Sequence, residues 1–227
     1  MNKIKTFLSE NKMIFMIPLY AAFYLPCFIL LERAEGIKYH IIHMKIDDYI
    51  PFCEYFIIFY YLWFIYMIIS VAYCVFTDRD IFYKSFTFLA VGMTLFLIIS
   101  FVFPNAQHLR PVTFARDNVF TDMVRYLYSV DTPTNVFPSL HVFNAIGAHL
   151  AIVFNKQFKN NRTVKGTSLV ICTGIILSTV FLKQHSLFDV IGACVMALAL
   201  YPVIFRDEYR AFLITRKERK ESRRAQA

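Results

Sequence analysis

Six stretches of the chain are almost wholly apolar, and charge returns between them. They cover residues 13–31, 50–76, 81–103, 137–154, 167–182 and 187–205. A helix rises about 1.5 Å per residue, so about 20 apolar residues cross a hydrocarbon core roughly 30 Å thick. Backbone polar groups cannot stay unpaired in lipid, and a helix pairs them within its own segment. The pattern therefore predicts an all-α fold, a polytopic membrane protein built as a six-transmembrane-helix bundle. The fourth and fifth stretches are the least apolar. The fourth carries His141, Asn144 and His149, side chains that a span turns toward a bundle interior or a watery cavity.

Composition agrees with this. Apolar types make up 58% of the 227 residues, with 25 Phe and 14 Tyr. A soluble domain of this size cannot hide so much apolar surface, and the aromatic load suits lipid-facing helices and interfacial belts. No small-residue cleavage site follows the first stretch, which reads as a retained helix. The five cysteines lie in or beside apolar stretches, without metal-ligand spacing or a disulfide framework, and read as small buried hydrophobes.

Charge adds the topology. The net charge is +8. Lys3, Lys5 and Lys12 precede the first stretch, Lys156, Lys159, Arg162 and Lys165 separate the fourth from the fifth, and a Lys/Arg cluster fills the tail. With six spans all three groups share one side, which the positive-inside rule makes cytoplasmic. Residues 1–206 then form the membrane domain and 207–227 a basic cytoplasmic tail lying on anionic headgroups. The plasma (inner) membrane is the expected location, with membrane lipids and not nucleic acid as partners. Residues 32–48, 104–136 and the turn near His185 fall on the outer side.

The polar residues that carry chemistry gather on that outer side in three groups: Leu109-Arg110-Pro111; Phe137-Pro138-Ser139-Leu140-His141; and Ser178-Thr179 followed by His185 and Asp189. Pro138 suits the first position of a helix, where its missing N–H is not needed, and the free N–H groups after it favour an anion. Ser139 adds a hydroxyl and His141 a group that exchanges a proton near neutral pH. His185 and Asp189 are four apart, which puts them on one face if both are helical. A carboxylate on one imidazole nitrogen leaves the other as a nucleophile or base. Arg110 can grip a phosphate bidentately, and Lys183, close to the end of a span, needs a partner such as a substrate phosphate.

The order Arg-Pro, then Pro-Ser-x-His, then Ser with His and Asp downstream resembles the three signature motifs of the type 2 phosphatidic acid phosphatase superfamily, over roughly residues 104–189. The resemblance implies that His185 takes the phosphoryl group as phosphohistidine, that Asp189 holds and activates it, and that His141 protonates the leaving oxygen. It implies Ser139 and Arg110 as ligands of phosphoryl oxygens, and neither metal nor cofactor. Two family cations are missing: Phe103 stands seven residues before Arg110 where the family has Lys, and Thr179 follows Ser178 where it has Arg. Lys183 is expected to supply part of that charge.

The expected activity is hydrolysis of a lipid phosphate or isoprenyl pyrophosphate, with the tail entering from the bilayer. Two alternatives stand beside it. The Phe-Pro-Ser-Leu-His run is similar to that of inositol phosphorylceramide synthases, in which a lipid alcohol replaces water. A site short of two cations can also serve as a non-catalytic phospholipid-binding protein. His108, His149, the pair His40 and His43, and Glu54 are further polar candidates, with His149 read as a structural histidine.

Overall fold

A computed structural model describes residues 12–225 of the protein. Its helices are α1 (Met16–Glu32), α2 (Ile57–Thr77), α3 (Arg79–Val102), α4 (Val119–Val130), α5 (Leu140–Phe154), α6 (Arg162–Phe181), α7 (Leu187–Ile204) and α8 (Arg206–Ala225). Helix makes up 74% of the structure, and the only strands among the described residues are β1 (His40–Ile41) and β2 (Asn105–Ala106), so the all-α class holds.

Five helical segments are long and apolar enough to cross a membrane: Met13–Glu32, Glu54–Thr77, Arg79–Val102, Arg162–Phe181 and Leu187–Ile204. Their outer faces match a lipid solvent, with Leu19 75% and Phe101 76% exposed. The count of six is not reached by length, because α5 has 15 residues, about 22 Å of helix. The start expected at residue 137 moves to Leu140, since Ser139 is the N-cap and Pro138 lies outside the helix. The short helix is central. It packs against α2, α3, α6 and α7, and Val142, Phe143, Ala145, Gly147, Ala148 and Ala151 are buried among them. A helix enclosed by others needs neither full bilayer length nor an apolar surface all round, so this one can be short and still carry His141, Asn144 and His149. Approach to α3 is close: a Cβ on Gly92 would stand 2.0 Å from the Phe143 ring, which itself stacks on Phe88 at 4.6 Å. Close packing of this kind leaves no room for a methyl group there.

The two ends of the bundle are tied differently. At one end Asp78 caps α3 and accepts from the Lys156 backbone, and Lys84 pairs with Glu208 at 2.8 Å. This end therefore gathers the loop before α6 and the start of the basic helix α8. Lys3 and Lys5 lie outside the described residues. At the other end β1 pairs in parallel with β2, His40 opposite Asn105, and Asn105 Oδ1 accepts from the backbones of Val136 and Phe137. The loop between α3 and α5 contains α4, capped by Asn118, with Val124 and Leu127 buried beneath it. Glu54, 1% exposed, binds Arg116 and Asn118 from the segment leading into α4. This places Glu54 in a latch on the loop rather than in a site.

Candidate functional site

The turn between α6 and α7 carries His185. Leu182 ends α6, and Lys183 enters the left-handed region at φ +53. That conformation costs a non-glycine residue roughly 1 kcal/mol or more and is kept only where surroundings impose it. Here the surroundings are explicit. The Gln184 and His185 backbone N–H groups both donate to the Thr179 carbonyl at 3.0 Å, and buried Gln107 donates its amide to the Lys183 carbonyl at 3.0 Å. Ser186 then caps α7, and Asp189, three residues on, accepts from the Ser186 N–H at 2.9 Å. This reciprocal cap stops the helix at Leu187. His185 therefore precedes the helix instead of sharing its face with Asp189, as the spacing had suggested. The pair still meets, because the same carboxylate oxygen lies 3.3 Å from His185 Nδ1.

Asp189 is fully buried, and as a carboxylate it can only accept, so His185 Nδ1 is the donor and Nε2 keeps its lone pair. Nε2 faces His141 Nδ1 at 3.4 Å. His141 sits in the first turn of α5 between two rings of α2, Tyr60 at 4.4 Å and Trp63 at 4.3 Å between centroids. Ser139, 0% exposed, accepts the Val142 N–H on its hydroxyl, while its own backbone N–H donates to the Asp189 carbonyl at 3.1 Å. Pro138 does not open the helix as expected, because the cap position goes to Ser139, whose oxygen can bind a first-turn donor and proline's cannot.

Of the six residues expected at the site, His141, Ser139, His185 and Asp189 come together. Arg110 stops one side chain short. Its guanidinium donates to the Asp131 carbonyl at 2.8 Å, the Tyr128 carbonyl at 3.3 Å and Gln184 Oε1 at 2.5 Å, and lies 4.7 Å over the Tyr128 ring. Burial lowers its pKa from the ordinary value, with Asp131 opposing. Lys183 turns elsewhere and donates to the Asp47 carbonyl at 2.6 Å. Burial lowers its pKa too, against Asp47 and Asp48. Both positions lacking a family cation are uncharged and occupied: Phe103 stacks on His40 at 4.7 Å, and buried Thr179 donates to the Ile176 carbonyl at 2.7 Å.

A cavity of about 70 Å³ lies in front of the two histidines, lined also by Glu32, Asp131, Thr134 and Gln184. Beside it, an apolar groove of about 510 Å³ runs between α1 and α3 past Phe23, Cys27, Leu97 and Phe101. Asn135 borders both spaces.

Several contributors carry no sequence signal of their own. Asp47, 2% exposed, accepts from the Ser186 hydroxyl at 2.6 Å and the Leu187 N–H at 2.9 Å, holding the start of α7 from across the molecule. Glu32 accepts from Asn135 at 2.8 Å and from Thr132. Gln184 alone had a local hint, a polar residue beside a site histidine in a turn. The remaining candidates lie apart: His108 is exposed, His43 pairs with Asp48 at 2.8 Å, and His149 bonds Ser168 at 2.8 Å far along α5. Among the described residues no group of three His, Cys, Asp or Glu side chains converges.

Comparison with curated proteins and with solved structures finds no match for the chain. The profile of the PAP2 superfamily matches residues 27–203, a range that includes every residue of the cavity described above, and membership points to a phosphatase-type activity. The chain belongs to the PAP2 superfamily, the type 2 phosphatidic acid phosphatase superfamily its motifs resemble.

Proposed function

We propose that the protein is a metal-independent phosphatase of membrane lipid phosphates or pyrophosphates, acting through a phosphohistidine. The observation that carries this reading is His185, whose Nδ1 lies 3.3 Å from the buried Asp189 carboxylate and donates to it, which leaves the Nε2 lone pair facing the Nδ1 of His141 at 3.4 Å. In the first step the Nε2 lone pair forms a bond to phosphorus while the bond from phosphorus to the lipid oxygen breaks, and His141 gives that oxygen its proton. In the second, His141 takes a proton from water, whose oxygen attacks phosphorus and releases His185 and phosphate. Asp189 stabilises the charge on His185 in each step. Ser139 and the backbone donors at the start of α5 bind phosphoryl oxygens. Lys183 acts from behind, by holding the Asp47 loop against the start of α7.

The apolar groove beside the cavity supports a lipid substrate, its tail lying between α1 and α3 and its headgroup at the histidines. In this reading α5 is the sixth, enclosed span. The basic loop and tail face the cytoplasm, and the site opens on the outer face of the plasma membrane.

The test is phosphate release by detergent-purified protein from a panel of lipid phosphates and pyrophosphates, with a chelator present and His185→Ala as control. Release that needs His185 and survives the chelator is expected. Release that the His185→Ala variant retains would sink the proposal. A second reading, transfer to a lipid alcohol, draws on the carboxylates and threonines of the cavity wall, which suit hydroxyl groups better than a second anion. A labelled acceptor lipid decides between them, since a transferase makes a new phospholipid and a hydrolase does not.

A further inference from the structure

The cavity poses a problem of charge. It is lined by two carboxylates, Glu32 and Asp131, and by no lysine or arginine, although a phosphoryl group is to sit there. Arg110, the cation bonded to the cavity residue Gln184, donates its Nη groups to two carbonyls and to Gln184 Oε1, while its buried Nε has no partner among the described residues. Gln184 is 2% exposed and lines the cavity, and its amide nitrogen has no partner among the described residues. A buried amide N–H left unpaired costs about 1–3 kcal/mol, and native structures leave few such groups without a reason.

We infer that Gln184 is a phosphoryl-binding residue whose amide N–H donates to a phosphate oxygen, and that Arg110 is its positioning partner, acting through the amide rather than on the phosphate. The oxygen of Gln184 is taken by Arg110, so the nitrogen is the end left for the cavity. The guanidinium also polarises the amide, which strengthens the donor. Gln184 adjoins His185, and the shared Thr179 carbonyl and the Gln107 clamp fix the donor and the nucleophile as one rigid turn. The left-handed Lys183 that begins this turn has a purpose in this light: it lets the chain present both side chains to one small space. The positive charge missing at Phe103 and Thr179 is thus supplied in part from one layer back. The inference rests on the reading of the cavity as a phosphoryl site.

The chain has one tryptophan, Trp63, and it packs on His141 at 4.3 Å. Its fluorescence is a direct probe of the cavity. Inorganic phosphate titrated into the purified full chain should change the wild-type signal. Gln184→Met, close in shape and without a donor, should bind phosphate about tenfold more weakly or worse. Gln184→Glu keeps the Arg110 contact and so the fold, should hold the wild-type melting temperature, and should likewise lose phosphate. Arg110→Met should match Gln184→Met, and the double variant should be no worse than either, because the two residues act as one device. Affinity within twofold of wild type in the folded Gln184→Met protein overturns the inference. So does a loss confined to Arg110→Met, since that arginine would then touch phosphate itself, and so does a wild type blind to phosphate. Lipid phosphate release plays no part in this readout: phosphate binding without turnover leaves the inference standing and sinks the hydrolase, whereas His185-dependent turnover with an indifferent Gln184→Met does the reverse.

Discussion

Helix α5 carries two histidines, His141 and His149, about two turns apart, in very different company. His149 Nδ1 bonds the Ser168 hydroxyl at 2.8 Å, and Tyr66 bonds the same hydroxyl at 2.6 Å. That is a polar knot between α2, α5 and α6, centred on the Ser168 hydroxyl. His141 is held otherwise. Two aromatic rings fix its plane, and its Nδ1 meets His185 Nε2 at 3.4 Å on the wall of a cavity. A histidine whose bonds end in its own network holds helices together, and one whose ring is locked but whose nitrogens face an opening can exchange a proton with something that enters. Residue type and helix are the same, and the difference comes from what the other elements deliver.

Substitutions can break this contrast. His185→Ala removes the nucleophile of the proposed mechanism and should lower phosphate release on the order of 10⁴-fold or more. Single-turnover assays on the lipid panel would measure it, and a rate near wild type would end the comparison. His141→Gln keeps a polar side chain of similar reach but no exchangeable proton, and a loss of about 10²–10⁴-fold in kcat is expected. Substrates with a more acidic leaving group should recover most of that loss, because they need less protonation. Failure to recover would move His141 from acid to mere wall.

Smaller effects sharpen the contrast. Asp47→Ala leaves the Ser186 hydroxyl and the Leu187 N–H without an acceptor, so stability should fall by about 1–3 kcal/mol, visible as a lower Tm, and kcat should drop as the His185 turn loosens. An unchanged Tm would show that Asp47 does not brace α7. His149→Ala should cost about 1 kcal/mol of stability and leave kcat/KM near wild type. If that variant instead loses activity while staying folded, the two ends of α5 are not functionally separate.

Much of this was legible in one dimension. The apolar stretches, the charge between them and the Pro-Ser-Leu-His run lie in contiguous sequence, where length and periodicity have a physical meaning residue by residue. The His185 and Asp189 pairing was legible too, though for a reason other than the one the spacing suggested. A capping box stops α7 at Leu187 and brings the carboxylate back toward the turn. The shortness of α5 was hidden, since Phe137 and Pro138 continue the apolar run while the cap at Ser139 ends the helix.

The contributions of Asp47, Arg110, Gln184 and Lys183 belong to the other kind of information. Asp47 lies more than 130 positions from Ser186 and Arg110 more than 70 from Gln184, and composition or period says nothing at such separations. A lysine beside a site histidine and an arginine in a phosphatase-like motif both read as phosphate ligands when only their charge is visible. Packing of the loops at this end of the bundle gives the lysine to a carbonyl and the arginine to an amide. By itself the sequence determined the solvent, the helical class and the chemical types at the site, because these follow from local hydrophobicity and residue identity. Only the tertiary structure decided which of those groups face the cavity, because buried polar groups must find partners wherever the fold brings them.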